Sequence, residues 1–287
     1  MTVRKFESAV LRLCAAGLVV LGAACAATPD DPQEPPGRDA EELRQTAQLI
    51  QAELPRWKVA MGEKAAELKL NPKPILRWTN PASGRMYGEI FVWTADGRPE
   101  AVMSLYKVWD PPWGFAGEFQ SLSLTKLVGE RSQTVAWKSD DPGITFREVP
   151  EAPVPGDTAP RRLQQMRAMA NNFTAVLMDY RQNAKGERQA LRLLTNAVYR
   201  YSSPGRAVTD GALFAFVLGT DVEVLLLLEA SRAKDGELWQ YALARLNSDE
   251  LAAFWKEEEV WRVSKATFNE RNKPYVYLSL PESRPQQ

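Results

Sequence analysis

Histidine is absent from all 287 residues of this sequence. Its absence excludes Ser-His-Asp and Cys-His catalysis, a histidine general base, and zinc or copper sites with histidine ligands. Cysteine is almost as scarce, because Cys14 and Cys25 are the only two and both lie near the start of the chain. The sequence beyond residue 27 therefore has neither a disulfide nor a thiol nucleophile. A glycosidase-type mechanism, which needs two carboxyl groups and no histidine, remains compatible with this composition.

An excess of either charge is also absent, because Lys and Arg number 36 and Asp and Glu number 36. A balanced chain presents no broad positive field, so no nucleic-acid partner is predicted. Neither a calcium-loop spacing nor a glycine-rich phosphate loop occurs, and we predict no metal and no cofactor. The 45% hydrophobic content and 9 tryptophans are typical of a globular protein. This length allows one large or two ordinary domains with a proper core.

The first 27 residues are typical of an export signal. Arg4 and Lys5 precede an apolar stretch over 11–24, which is short for a bilayer span, and Ala24-Cys25-Ala26 resembles a cleavage site. An alternative interpretation takes residues 21–25 as a lipobox, with Cys25 lipidated after cleavage. Both interpretations predict export to the periplasm, the cell envelope or the medium. Neither predicts a transmembrane span in the mature chain, and the second adds a lipid anchor.

Apolar periodicity predicts the order of elements after a proline-rich linker over residues 28–38. A helix is predicted from Asp39 to Pro55, and a second helical stripe follows over 57–68. Strands are then predicted up to a proline-rich stretch at 149–160, which reads as an internal linker. A helix over 160–180 is followed by further strands, of which the last spans 274–280. Residues 281–287 are predicted to be a disordered tail.

The sequence over 211–232 predicts a buried β-hairpin, and a similar pattern occurs earlier in the chain. With a constant offset of 123, identical residues coincide at five positions: Arg77 and Arg200, Pro81 and Pro204, Gly88 and Gly211, Phe91 and Phe214, and Glu100 and Glu223. We therefore predict an α+β protein of two tandem helix-plus-antiparallel-meander repeats, at 39–156 and 157–280. The sequence leaves open whether these repeats form separate domains or share one sheet or barrel.

Two carboxylates recur at matching positions of the predicted repeats. Glu100 and Glu223 each begin a return strand after a turn. An acid kept in both copies favours a structural role over a catalytic one. We expect these acids to pair with Arg77 and Arg200.

The two predicted copies differ most in one loop. Residues 109–117 (WDPPWGFAG) contain three aromatic residues, whereas the second copy has a polar turn at 233–236. Aromatic side chains in such a loop either cover the core or meet a ligand, such as a sugar ring. The predicted ligand-binding residues are Trp109, Asp110, Trp113, Phe115 and Glu118.

Three functions are compatible with this loop. The leading prediction is a non-catalytic exported protein that binds an envelope glycan or a protein partner. One alternative is a hydrolase with paired carboxylates near the loop, for which Glu89 and Glu100 are further neighbours. The other is a structural or assembly protein in which the loop lies in a subunit contact.

Four segments carry a resemblance to a known group of proteins. At 75–81, 87–100, 210–230 and 239–248 the chain resembles a family of uncharacterised exported proteins of planctomycete-type bacteria. The resemblance covers most of the chain beyond the leader, and it implies export and a single architecture. It implies no activity, so no catalytic or binding residue follows from it.

Overall fold

The computed structural model describes residues 37–80, 84–180, 186–234, 236–268 and 270–282. The predicted export signal with Cys25, nearly all of the proline-rich linker and the last five residues lie outside these ranges. Arg38–Gln287 form one compact unit. Over the described ranges, no helix combines the length and the apolar character needed to cross a bilayer.

The first part of the chain, here called the N-terminal half (residues 38–156), is one helix followed by strands. Its elements are α1 (Arg38–Glu53), a 3₁₀ turn (Leu54–Arg56), β1 (Trp57–Met61), β2 (Ala66–Glu67), β3 (Lys69–Leu70), β4 (Leu76–Thr79), β5 (Arg85–Ala95), β6 (Arg98–Asp110), β7 (Gly114–Ser121), β8 (Leu127–Arg131), β9 (Thr134–Ser139) and β10 (Arg147–Glu148).

The C-terminal half (residues 157–282) has the same general order. Its elements are α2 (Ala159–Ala170), β11 (Phe173–Asp179), β12 (Glu187–Leu193), β13 (Tyr199–Ser203), a 3₁₀ turn (Pro204–Arg206), β14 (Val208–Leu218), β15 (Asp221–Ala233), β16 (Gly236–Arg245), β17 (Glu250–Trp255), β18 (Glu258–Val263) and β19 (Tyr275–Leu280). Two α-helices thus accompany many strands in the described ranges, and the predicted α+β class is confirmed.

The strands form three sheets with antiparallel pairing. One sheet has the order β2-β1-β8-β9, and a second has the order β19-β7-β6-β5-β3 with β4 also on β5. The third and largest has the order β10-β16-β15-β14-β12-β11-β17-β18 with β13 also on β14. Antiparallel strands can follow one another through short turns, which agrees with the meander pattern of the sequence.

Two long hairpins lie at the centre of the fold. β5 and β6 are joined through Asp96 and Gly97, whose φ angles of 48° and 80° are both positive, as a two-residue hairpin turn with right-handed twist requires. β14 and β15 are joined through the two-residue turn Gly219-Thr220. The hairpin predicted from residues 211–232 is confirmed, and its strands extend beyond those bounds.

The two halves exchange strands at their ends. β19 of the C-terminal half pairs with β7 of the N-terminal half, from Tyr275 opposite Gln120 to Leu280 opposite Phe115. β10 of the N-terminal half pairs with β16 of the C-terminal half, where Glu148 lies opposite Gln240. Each half therefore provides a strand that covers an edge of the other half's sheet.

The second helical stripe predicted for residues 57–68 is wrong. Trp57 and Val59 are buried on one face of β1 and Lys58 is exposed on the other, so the apolar period is two. β1 pairs along its whole length with β8, a strand that the sequence did not predict. Pairing with a distant strand has overridden the local helical spacing of the later apolar residues.

The helix predicted over 160–180 is wrong in its second part. α2 ends at Ala170, and β11 buries Phe173, Ala175 and Leu177 at a spacing of two. β11 pairs with both β12 and β17, so tertiary pairing again decides the structure.

The hydrophobic core has three parts, of which the middle one joins the halves. In the middle part, Ile90 and Val102 of the first hairpin share a buried cluster with Leu225 and Leu227 of the second. A second part lies beneath α1, where Phe119 contacts Trp57 and Trp137 with ring centroids 4.4 and 5.4 Å apart. The third lies beneath α2. The two central hairpins thus bury residues of both halves in one cluster.

Candidate functional site

A cavity of about 280 Å³ lies near the turn of the second hairpin. Its lining includes three carboxylic side chains, Glu118 of β7 and Asp221 and Glu223 of β15. Trp113 and Phe268 also line it, and their side chains are 71% and 53% exposed. We call this site the acidic cavity. Carboxyl groups and solvent-exposed aromatic residues therefore line the same cavity.

Glu223 is the most deeply buried of the three acids, with 1% of its surface exposed. Its Oε2 atom has no hydrogen-bond partner in the described part of the chain. Burial raises the pKa of Glu223 well above its ordinary value, and the nearby charges of Asp221 and Glu118 raise it further. The Asn247 side chain hydrogen-bonds this carboxyl group, which lowers its pKa by less than burial raises it. An unpaired buried polar oxygen is costly, and the ionised form of Glu223 would accept a donor at Oε2.

Asp221 and Glu118 have polar partners from the protein, and Asp221 also receives a hydrogen bond from the backbone of Val222. The Asn80 side-chain amide donates to Asp221 Oδ2 at 3.2 Å, and the Tyr275 hydroxyl donates to Glu118 Oε1 at 2.5 Å. Burial raises the pKa of Asp221 to about 7 and that of Glu118 to about 8, because removal from water disfavours the charged form. At neutral pH a substantial fraction of each group is therefore protonated.

The guanidinium group of Arg245 donates its hydrogen bonds to backbone carbonyl oxygens. Arg245 donates to the carbonyl oxygens of Asn247 at 2.7 Å, Asp249 at 2.5 Å and Ser264 at 2.8 Å. Its charge lowers the pKa of Glu118, an effect smaller than that of burial. Across the described residues, no lysine or arginine forms an ion pair with Glu118, Asp221 or Glu223.

Buried acids near the turn of the first hairpin are paired with arginines, unlike the acids of the acidic cavity. Arg98 is 2% exposed and donates to Glu229 Oε1 at 2.8 Å and to Glu100 Oε1 at 2.7 Å. Arg206 also donates to Glu100 Oε1 at 2.6 Å, and the Tyr201 hydroxyl donates to Glu229 Oε1 at 2.8 Å. We call these five residues the buried ion network. Two arginines there compensate two glutamates.

The predicted pairing of Glu100 and Glu223 with Arg77 and Arg200 is wrong. Arg77 lies beside Glu89, at 2.7 Å from Nε to Oε1, because β4 and β5 place these residues opposite each other. Arg200 instead donates to Asp210 at 3.0 and 2.6 Å. Glu100 belongs to the buried ion network and Glu223 to the acidic cavity.

The five predicted ligand-binding residues are divided among different surroundings. Trp113 and Glu118 line the acidic cavity. Trp109 lies against α1, where its indole donates to Thr46 Oγ1 at 3.0 Å, and Asp110 is exposed beside Arg85. Phe115 is buried in the core beneath α1. Only two of the five therefore share a cavity, and the three aromatic residues form no common platform.

Several residues of the acidic cavity were not predicted as site residues, namely Asn80, Tyr106, Asp221, Asn247, Phe268 and Tyr277. One signal in the sequence could have found Asp221. At the offset of 123 it falls on Arg98, so an acid replaces a base beside the paired glutamates. The sequence predicts only a structural role for Glu223, because its position beside two further acids depends on the fold.

The acidic cavity can hold polar groups and protons. Carboxyl groups with raised pKa values donate hydrogen bonds when protonated and accept them when ionised. Glycoside hydrolases also use a carboxylic acid with a raised pKa together with a second carboxyl group. Over the described ranges, no three residues of the types His, Cys, Asp and Glu are arranged to hold a metal ion.

Comparison of the chain with protein-family models, with curated proteins and with solved structures finds no match. The resemblance to exported planctomycete-type proteins stays a prediction from the sequence segments that carry it.

Proposed function

We propose that this chain is an exported protein that binds a glycan in the acidic cavity. The observation that carries the proposal is Trp113, whose indole is 71% exposed while it lines a cavity with buried polar groups. An indole face packs against the C–H surface of a sugar ring, and buried carboxyl groups bind hydroxyls. The export signal predicted over residues 1–27 would bring the protein to extracytoplasmic glycans.

The size of the cavity agrees with a small ligand unit. Small-molecule sites measure about 300–1,000 Å³, and the 280 Å³ of the acidic cavity lies close to the lower limit. One sugar ring of a longer chain fits this scale better than a folded partner does. The exposed rim would leave the rest of a glycan chain in solvent.

A thermal-shift screen tests this proposal. The purified protein is heated with envelope polysaccharides, oligosaccharides, peptides and metal ions, and a ligand of the native state raises the melting temperature. We expect oligosaccharides to do so for the wild type and not for Trp113→Ala. Val135→Ala truncates an exposed apolar residue of β9, outside the acidic cavity, and serves as the control.

Two results would contradict the proposal. Equal stabilisation of wild type and Trp113→Ala would place the binding site elsewhere. A blank screen of a well-folded protein, together with self-association that Trp113→Ala abolishes, would favour the assembly role.

A second candidate, a carboxylate-based hydrolase, is favoured by one observation. Glu118, with a pKa raised to about 8, has the character of a general acid, and Asp221 lines the same cavity. Release of reducing ends from a bound oligosaccharide would test this role. Glu118→Gln is then expected to stop the release and retain binding, whereas a bound ligand that stays intact would reject hydrolysis.

We propose in addition that the two halves arose by tandem duplication. Support comes from matching strand registers: Gly129 pairs with Trp137 between β8 and β9, and Ala253 pairs with Trp261 between β17 and β18. Both pairs are related by an offset of 124, and a register shift follows each of them at the next residue. On this proposal, the buried ion network and the acidic cavity are divergent versions of one ancestral site.

A further inference from the structure

We propose that the acidic cavity recognises a protonated amine, so that the ligand unit it takes is an amino sugar. This inference rests on the proposed glycan-binding function and names the chemical class of the glycan. Three observations carry it: the buried Glu223 oxygen without a donor, the absence of a paired cation among the described residues, and the aromatic rim.

Glu223 supplies the first argument. Glu223 lines the acidic cavity, and its Oε2 atom is buried and receives no hydrogen bond from the described part of the chain. Buried polar atoms in proteins are rarely left without a partner, although Glu100 Oε2 and one Arg98 nitrogen of the buried ion network share this property. A ligand that carries N–H donors would satisfy Glu223 Oε2, and an ammonium group offers three.

The buried ion network shows which groups compensate the charge of a comparable set of acids. At that end, the guanidinium groups of Arg98 and Arg206 donate to Glu100, and Arg98 also donates to Glu229. In the acidic cavity, Asp221 replaces the first of these arginines after the hairpin turn. A cationic ligand would supply to the acidic cavity the positive charge that arginines supply to the buried ion network.

The remaining charged and titratable groups around the acids leave the site suited to a cation. Tyr106 of β6 and Tyr275 and Tyr277 of β19 all have raised pKa values and are neutral. Arg245 of β16 directs its donors to backbone oxygens. Asp249 raises the pKa of Glu118, and it forms an ion pair with Lys265 at 3.3 Å. Negative charge therefore predominates once the three carboxyl groups ionise.

The rim favours an organic cation over a bare metal ion. Trp113 and Phe268 expose aromatic surface at the cavity, and an ammonium group attached to a ring can contact such surface while the ring stacks on it. Metal ions gain little from aromatic neighbours. The proposal therefore commits to an amine on a sugar ring.

Amine binding must be linked to proton release. An ammonium group stabilises the ionised form of Asp221, Glu223 and Glu118, so it lowers their pKa values on binding. Because burial raises the pKa of Asp221 to about 7 and of Glu118 to about 8, some of these groups are protonated at neutral pH before binding. Affinity should consequently fall as the pH is lowered below about 7, and it should fall again above about 8, where the amine loses its own proton.

The test is isothermal titration calorimetry of the purified protein with three trisaccharides of the same linkage. These are the glucosamine trimer, its fully N-acetylated form and the glucose trimer. We expect the glucosamine trimer to bind tighter by about tenfold or more, because charge-assisted hydrogen bonds are stronger than neutral ones. Repeating the titration at about pH 6, where the amine is already protonated, in two buffers of different ionisation enthalpy should reveal net proton release.

Two neutral isosteres and one control variant locate the effect. Glu223→Gln and Asp221→Asn should each remove the preference for the amine while retaining the fold, and the second acts as a check should the first unfold. Asp110→Asn is the matched control, because Asp110 is an exposed acid outside the cavity. It should bind as the wild type does.

The outcomes separate the inference from the function on which it rests. Equal affinity for the three trimers would overturn the amine and leave glycan binding intact. Absence of binding by all three would overturn both. Displacement of the glucosamine trimer by Ca²⁺ at micromolar concentration would also overturn the amine and reassign the acids to a metal ion.

Discussion

Asp221 directly follows the turn of the second hairpin, in the position that Arg98 occupies after the turn of the first. Each residue lies two positions before a buried glutamate on the same strand, Glu223 and Glu100. Arg98 forms an ion pair with its glutamate, whereas Asp221 places a second carboxyl group beside Glu223. This one difference separates an ion network with arginine partners from a cavity whose acids have no basic partner among the described residues.

Loss of Arg98 should destabilise the fold strongly. Arg98→Met keeps the length of the side chain but leaves Glu229 and part of the Glu100 interaction without a buried cation. Breaking a buried ion pair by removing one partner costs about 3–5 kcal/mol. Chemical denaturation should show this loss in the free energy of unfolding, and Arg44→Ala, at an exposed pair on α1, should show none. A loss below about 1 kcal/mol would mean that the network is effectively solvated.

The acidic cavity should make the protein less stable as the pH rises. In the folded state the pKa of Asp221 is raised from 3.8 to about 7, and that of Glu118 from 4.5 to about 8. The folded protein therefore binds more protons than the unfolded chain between these limits. Stability is highest at the acidic end of this window and falls as the pH rises from about 4 to about 8.

Asp221→Asn should flatten this pH dependence. Each unit of raised pKa corresponds to about 1.4 kcal/mol, and the partial exposure of Asp221 reduces the observed amplitude. Unfolding free energies at pH 5 and pH 8 measure the difference for wild type, Asp221→Asn and the control Asp110→Asn. We expect Asp221→Asn to be more stable than the wild type at pH 8 and to change little at pH 5. An unchanged slope would show that Asp221 is ionised throughout.

Phe119 should be one of the most sensitive positions of the core. It is fully buried and contacts Trp57, Trp93 and Trp137. Phe119→Ala should cost about 3–5 kcal/mol, the usual cost of a phenylalanine truncated in a core. Thermal or chemical unfolding measures it, with Val135→Ala as an exposed control. A cost near that of the control would mean that β1, β7 and β9 do not share this cluster.

Removal of β19 should prevent folding of the N-terminal half. Truncation after Lys273 deletes the strand that pairs with β7 from Phe115 to Gln120 and exposes that edge. An unpaired edge with buried apolar neighbours promotes aggregation. Size-exclusion chromatography should show aggregates, and near-UV circular dichroism should lose its signal. Removal of residues 283–287 alone, which deletes no described contact, should preserve both properties. A monomeric, cooperatively melting truncation would argue that the halves fold independently.

The central hairpins were predictable because their signals are local. Alternating apolar residues over β5 and β14, with Asp96-Gly97 and Gly219-Thr220 between strands, specify each hairpin within about twenty-five residues. β1 and β11 were not predictable from their own residues. Their apolar spacing also fits a helix, and the pairing that decides for a strand comes from β8 and β17, far along the chain.

The acidic cavity was predictable only in part. Trp113 and Glu118 belong to a loop and strand whose composition stands out in the sequence. Asp221 and Glu223 approach them only because the second hairpin packs against the first, and Phe268 comes from a segment still later in the chain. No local pattern contains that juxtaposition. Comparison of the two halves at Arg98 and Asp221 is the one sequence signal that points to it.

The most direct test of glycan binding in the acidic cavity is ¹⁹F nuclear magnetic resonance of protein labelled with 5-fluorotryptophan. The sequence contains 9 tryptophans, and the resonance of Trp113 is assigned as the one missing from Trp113→Phe. On titration with the oligosaccharide that stabilises the protein most, we predict that this resonance shifts furthest and saturates with the measured affinity. A Trp113 resonance that stays in place while others move would contradict the account.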